Sequence, residues 1–301
     1  MKRDFNHILC ATDLSDLAGR GVGYGVAVAK AFNAKLYLCH VVDLPSISIA
    51  GGHYVYADGL DDSLRAYAET EMQKLMQNED VDWEPLIASG SVVDKIAAWV
   101  VEKNIDLAIS ATHGRAGLKR LMIGSVTARL MRTVACPFFM VTPPAQPIDA
   151  SASLQFKRIL VGCDFSDHSE RALSYAFSLA QEFEADIHLV HILEPAAFRG
   201  VYTSEAILAD VDVSLRDRIL DRLEKLVPDD ARNWCHIETS CLTGIPFKEL
   251  TSYITEHKID LAVMGLRGVG LVESLLVGST TDRLLRHVSC PLISVGPAPN
   301  G

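Results

Sequence analysis

The chain has 301 residues, 49% hydrophobic and 22% charged, the profile of an ordinary folded protein rather than a disordered or collagen-like one. Its 28 basic and 38 acidic residues leave a net charge of −10, which disfavours non-specific nucleic-acid binding. No apolar run approaches the roughly 18 residues of a membrane span, no signal-peptide core follows the start, and the seven cysteines form no C-x-x-C pair, so a soluble cytoplasmic protein with reduced thiols is expected.

In chain order, Ile8-Leu9-Cys10-Ala11 reads as a buried strand, and the next segment as a helix holding Gly19, Gly21, Gly23 and Gly25. No window there satisfies G-x-G-x-x-G, so close helix–sheet packing is the favoured role of those glycines, although each should weaken the helix by about 1 kcal/mol relative to alanine. Leu36 to Val42 reads as a second strand. Leu64, Ala68, Met72, Leu75 and Met76 recur at helical spacing, as do Val93, Ile96, Ala97 and Val100 behind a capping-box-like Ser91 and Asp94. Leu107 to Ser110 is a further strand, Val126 to Val134 a helix, and Phe138 to Val141 a closing strand. Thr142-Pro143-Pro144-Ala145-Gln146-Pro147 reads as a linker, because proline continues neither a helix nor a strand ladder.

The pattern then repeats. Ile8 to Asp16 matches Ile159 to Asp167 at an offset of 151 residues, continuing through Arg20/Arg171, Tyr24/Tyr175, Phe32/Phe183 and His40/His191. Ile105 to Ala108 matches Ile259 to Ala262 at an offset of 154, with Gly90/Gly244, Gly124-Ser125/Gly278-Ser279, Arg129/Arg283 and Cys136-Pro137/Cys290-Pro291. Two copies of one domain are therefore expected, at 1–147 and 154–301. Strands alternating with helices imply a parallel sheet covered on both faces, with ligands beyond the carboxyl ends of its strands.

The chemistry-bearing motif is Gly265-x2-Gly268-x9-Gly278-Ser279, which leaves a strand, crosses a loop and ends where a helix begins. Glycines permit close approach of backbone to phosphate and positive φ, free N–H groups at the helix start favour an anion, and Ser279 and Thr280 add hydroxyl donors. Turn punctuation is the alternative, and near-repetition in the other copy weighs against it. Asp13 and Asp164, at the ends of their strands, can accept hydrogen bonds from an adenine amine or ribose hydroxyls, or cap the next helix together with Ser15 and Ser166.

These residues resemble the universal stress protein family, which is marked by Gly-x2-Gly-x9-Gly-(Ser/Thr) after an Asp at the end of the first strand. The resemblance covers nearly the whole chain and is to the tandem type. It implies two tandem Rossmann-like α/β domains, each a doubly wound five-stranded parallel sheet, paired pseudo-symmetrically within the chain through Phe138 to Val141 and Leu292 to Val295. It further implies that the motif binds the phosphates and ribose of ATP or AMP, with or without Mg. By matching position, the site residues are Asp164, Ile192, Gly265, Gly268, Gly278, Ser279 and Thr280 in the second copy. In the first they are Asp13, Val41, Gly114, Gly124, Ser125 and Val126. The implied partners are an adenine nucleotide and unidentified proteins, with no nucleic acid, no membrane, and a homodimer beyond the intrachain pair left open.

The first copy departs from the pattern: Ala111 stands where the first glycine is expected, and its methyl either crowds a ligand or is harmless at a strand end. Its loop carries Arg115, Lys119 and Arg120, which could pair with phosphate or form a solvated face. The second copy has the full glycine set with Arg267 and Glu273 nearby, and is favoured for nucleotide. His40 and His191 end equivalent strands, where a buried, hydrogen-bonded histidine is favoured over a metal pair. His113, in the first loop, has Arg267 as its counterpart, which argues against shared acid–base catalysis. The variable segments from Ile47 to Asp62 and from Ala196 to Asp210 are candidates to cover a nucleotide or contact a partner. Three readings follow: a nucleotide-binding stress regulator acting through partner contacts, a nucleotide-free interaction scaffold, and a slow ATP-hydrolysing enzyme of the adenine-nucleotide α-hydrolase-like group.

Overall fold

The structure is a computed structural model and describes residues 5–42, 59–112, 124–142, 155–194, 205–267 and 278–297, with the backbone alone for Leu17, residues 205–213 and Ser279. The chain divides into two compact units, in the main Phe5–Pro143 and Gln155–Gly301. The first unit runs β1 (His7–Ala11), α1 (Asp16–Phe32), β2 (Lys35–Val42), α2 (Leu60–Met76), β3 (Trp83–Ser89), α3 (Val92–Glu102), β4 (Leu107–Ala111), α4 (Ser125–Thr133) and β5 (Phe138–Val141). Its strands lie in the order β3-β2-β1-β4-β5, every pairing parallel. The second unit runs β6 (Arg158–Gly162), α5 (Asp167–Phe183), β7 (Asp186–Leu193), α6 (Glu205–Leu226), β8 (Ile237–Thr243), α7 (Pro246–Glu256), β9 (Leu261–Gly265), α8 (Ser279–His287) and β10 (Leu292–Val295). Its order is β8-β7-β6-β9-β10, again all parallel.

The central strands are buried on both faces, as a parallel sheet with helical crossovers requires, so Leu107 to Ile109 and Leu261 to Val263 are wholly inaccessible. The repeated Asp106 and Asp260 hold the start of each sheet. Asp260 Oδ2 accepts from the backbone N–H groups of Lys157 (2.8 Å) and Arg158 (3.0 Å), and Asp106 Oδ2 does the same for Asn6 and His7. The repeated Phe32 and Phe183 meet Phe5 and Phe156 edge-on at 4.9 and 5.0 Å. The repeated Gly90 and Gly244 turn the ends of β3 and β8 towards the next helix at φ of 122° and 156°, a backbone that L side chains rarely adopt.

The outermost strands β3 and β8 are not marked by any apolar run. β3 is WEPLIAS, pairs with β2 on one flank, and buries only Leu86 among its residues. It tolerates Pro85, which cannot donate to a ladder, because an outer strand needs hydrogen bonds on one side. In α2, Ala68, Met72 and Met76 face the core while Leu75 is exposed, so the buried stripe is narrower than the apolar spacing. In α1, a Cβ on Gly25 would lie 3.1 Å from Cys10 Cβ and Sγ, and one on Gly21 would lie 3.2 Å from Ala111 N, so both serve helix–sheet approach. Gly19 meets nothing within 4 Å, and no packing reason holds for it. All seven cysteines are buried and none forms a disulfide. Among the described residues, no helix is long and apolar enough to cross a membrane.

Candidate functional site

The second unit opens a cavity of about 320 Å³ beyond the carboxyl ends of β6, β7 and β9. β7 and β9 flank β6 on opposite sides, so the chain reverses direction across the sheet here, the place where open α/β sheets bind ligands. The volume falls at the lower end of the roughly 300–1,000 Å³ of small-molecule sites. Gly162, Cys163 and Asp164 line it from β6, and Val190 to Glu194 from β7. Met264, Gly265 and Arg267 come from β9, and Gly278, Thr280 and Thr281 from the start of α8. Pro246 and Leu250 of α7 and Ser169 of α5 complete the wall.

The sequence-derived residues Asp164, Ile192, Gly265, Gly278 and Thr280 are thus brought around one space. Gly268 and Gly114 lie outside the described residues, as do His113, Arg115, Lys119, Arg120 and Glu273, most of the two variable segments, and the Ser279 side chain. Pro246, Leu250, Thr281 and His191 had no place in the motif, since three come from positions it does not cover and the histidine reads as a packed strand end.

The first turn of α8 lines the cavity. Its N-cap, Gly278, supplies no side-chain cap, unlike Ser166 on α5, which accepts from the Ser169 N–H at 3.2 Å. The first N–H groups of α8 are therefore left to a ligand or water, with the helix dipole behind them. The loop is closed by Gly278 N–H donating to the Leu266 carbonyl at 2.8 Å, and Thr281 anchors the helix by donating to the Gly265 carbonyl at 2.9 Å. Arg267 also lines the cavity; its carbonyl accepts from the Ser166 hydroxyl at 3.3 Å, and its Nε is buried and unpartnered. Beside it, His168 Nδ1 is also buried without a partner. Burial, then the Arg267 and Arg171 charges, push its pKa below the ordinary histidine value. The positive Arg267 guanidinium on the cavity wall can pair with an anion through its accessible atoms.

The glycines act differently from the expectation of positive φ. Gly278 has φ −63° and Gly124 φ −55°, both open to any residue. Close approach is the constraint instead: a Cβ on Gly124 would sit 3.1 Å from the Thr112 carbonyl oxygen. A Cβ on Gly265 would sit 2.9 Å from Ser169 N and 3.0 Å from His168 C and Cβ, in the first turn of α5. The first glycine of the motif is thus required by a helix that packs behind it. Ala111, its counterpart, faces α1 in the same way: a Cβ on Gly21 would lie 3.7 Å from Ala111 Cβ. The Ala111 methyl lies in ordinary contact distance of α1 at Gly21.

Asp164 Oδ1 accepts from the Ser166 N–H (3.1 Å) and hydroxyl (2.6 Å), and Asp13 does the same with Ser15. The serine caps the helix and the aspartate orients the serine. The following residues, Phe165 and Leu14, both adopt φ of 61°, a strained backbone repeated in the two units. His191 Nδ1 lies 2.8 Å from the Cys163 carbonyl, and His40 Nδ1 lies 2.9 Å from that of Thr12. Each histidine is hydrogen-bonded to its neighbouring strand. Among the described residues, no group of three His, Cys, Asp or Glu is placed to hold a metal ion. Cys163 lines the cavity, but burial raises its thiol pKa, so it is no thiolate nucleophile.

In the first unit Val41 is buried, while Ser125 and Val126 at the start of α4 are exposed. α4 also lacks a side-chain cap, and Thr127 donates to the Ala111 carbonyl at 3.2 Å as Thr281 does to Gly265. Val126 occupies the position of Thr280 and has no hydroxyl to offer.

The chain matches the model of the universal stress protein family twice, over residues 4–142 and 155–296. A universal stress protein of Methanocaldococcus jannaschii is 30% identical over 141 residues, which cover 46% of this chain and 82% of that protein. One of Thermus aquaticus is 34% identical over 152 residues, covering 46% and 98%. The crystal structure of a universal stress protein from Archaeoglobus fulgidus has a TM-score of 0.68 at 20% identity, covering 98% of this chain and 99% of that one, a likeness of fold.

Proposed function

The chain belongs to the universal stress protein family, and on that premise we propose that its second unit binds an adenine nucleotide, ATP or AMP, with or without Mg, and that occupancy regulates contacts with protein partners. The observation that carries this reading is one cavity lined both by an uncapped helix start with Arg267 and by Asp164 with apolar neighbours. The uncapped start of α8, with Thr280 and Arg267, offers donors and positive charge to phosphate. The β6–β7 end, with Asp164, offers acceptors to hydroxyls or an amine, and Ile192, Leu250 and Met264 add apolar surface for a base. Gly265, Gly278 and Thr280 contribute to the phosphate end as backbone and hydroxyl, with Gly268 and Ser279 assigned there by the motif.

The first unit is the weaker site, retaining Asp13, Val41, Gly124 and Ser125 but carrying Val126 in place of Thr280. Mass spectrometry of protein denatured straight after purification tests the proposal, followed by calorimetric titration with ATP and AMP. Released nucleotide or a saturable heat supports it. No nucleotide and no heat supports the scaffold reading, and turnover above background supports hydrolysis. Gly278→Val places a side chain at the phosphate end and is expected to abolish binding by the second unit; unchanged affinity means the motif holds no phosphate.

A further inference from the structure

His191 stands where β7 leaves the sheet and lines the cavity. Its Nδ1 is 2.8 Å from the Cys163 carbonyl. A carbonyl only accepts, so Nδ1 carries the proton and the neutral ring bears its lone pair on Nε2. Among the described residues, Nε2 has no partner, and the buried unpartnered side-chain atoms are His168 Nδ1 and Arg267 Nε, so Nε2 is not sealed within protein. The ring cannot swing freely. Phe165 packs against it with centroids 4.9 Å apart, and the Arg222 guanidinium lies 4.0 Å over the same phenyl ring. A fixed tautomer and a held ring make one oriented acceptor in the cavity wall beside Asp164.

We infer that His191 Nε2 is a specificity-determining acceptor in this cavity, selecting ligands that present a hydroxyl or amine donor at the β6–β7 end. The inference rests on the nucleotide reading and deepens it. A ligand bearing an acceptor at that point leaves two lone pairs facing each other in a partly desolvated wall, a penalty larger than a missing bond. The neutral form is the competent one. Burial lowers the histidine pKa; the Cys163 carbonyl and Asp164, both at the end of β6, oppose this, and Arg222 of α6 reinforces it. β8 contributes Cys241 in register with His191. The ring is therefore neutral at pH 7, and acid converts Nε2 from acceptor to donor.

The test is titration of the full chain with adenosine, which has no titrating phosphate, and with 2′-deoxyadenosine and inosine, each lacking one donor. His191→Asn is the informative variant, because its amide nitrogen can still donate to the Cys163 carbonyl while the Nε2 position is removed. His191→Phe removes both, and melting curves report whether either variant is folded. Expected are a weakening of adenosine binding by roughly three- to tenfold in His191→Asn and a wild-type affinity that is level above pH 6.5 and falls only below it, as pH drops through the lowered histidine value. The Asn variant should show no such fall. The analogue that the wild type discriminates and the Asn variant does not names the donor, the 2′-hydroxyl or the amine. A folded Asn variant with wild-type affinities and pH profile overturns the inference while leaving the nucleotide reading standing. A wild-type chain that binds none of the three, nor ATP, removes both.

Discussion

Replacing Gly265 by alanine separates two reasons for a glycine at the end of β9. If the glycine exists to admit phosphate, the substitution harms only binding. If it exists to admit α5, it harms the empty protein as well. The added Cβ would lie 2.9 Å from Ser169 N and 3.0 Å from His168 C and Cβ. Two of those three atoms are backbone in the first turn of a helix capped by Ser166, so they cannot turn aside as a flexible side chain would. Overpacking of this kind costs about 1–3 kcal/mol. In a unit of this size, each kcal/mol lowers the melting temperature by about 2–4 °C. The nucleotide-free Gly265→Ala variant should therefore melt about 2–12 °C lower in its second-unit transition by scanning calorimetry. The mirror variant Ala111→Gly removes a methyl and adds backbone freedom, and should cost about 0.5–1 kcal/mol in the first unit. A Gly265→Ala variant that melts as the wild type yet fails to bind nucleotide would falsify the packing argument and return the glycine to the ligand.

Further outcomes are expected. Thr280→Val gives α8 the residue that α4 carries at Val126, and should weaken ATP binding by the second unit several-fold, the loss of about one hydrogen bond; Val126→Thr should strengthen it in the first, both read by calorimetric titration. Thr281→Val removes the buried donor to the Gly265 carbonyl at 2.9 Å and should cost about 1–3 kcal/mol in denaturant unfolding. His188 is buried on β7 against Tyr253, with Nδ1 3.0 Å from the phenol, and burial lowers its pKa from 6.5 against the opposing pull of Glu238, with His257 adding to the fall. A depressed histidine pKa favours the neutral form in the folded state, so its contribution is whole above pH 6.5 and is lost as pH falls through the folded value. His188→Gln should accordingly flatten the dependence of melting temperature on pH between about 7 and 5, and an unchanged slope would place the acid sensitivity elsewhere. Burial pushes the thiols of Cys10, Cys136 and Cys290 up to about 12, so a thiol reagent at neutral pH should leave them unmodified until the protein unfolds.

Much of the fold was legible because its signals are local. A strand buried on both faces must be a continuous apolar run, so Ile8 to Ala11 and Leu261 to Met264 announce themselves, and a helix packed on one side must repeat its apolar residues every three or four. Comparing the two copies did the rest, since Asp106 and Asp260, or Gly90 and Gly244, recur wherever backbone geometry leaves little choice. The outer strands β3 and β8 were silent because they are covered less and need no apolar run. Of the site, the sequence by itself marked the candidate loop and helix start, since the spacing from Gly265 to Gly278-Ser279 lies within one stretch of chain, and it marked Asp164 through its repeat at Asp13. Only the tertiary structure decided why Gly265 is glycine, that Ala111 packs near Gly21, and that His191 turns Nδ1 to the Cys163 carbonyl while lining the cavity. Each of those depends on how closely another segment approaches, 28 residues away for His191 and Cys163 and farther for the other two, and no pattern within one segment records the approach of a second.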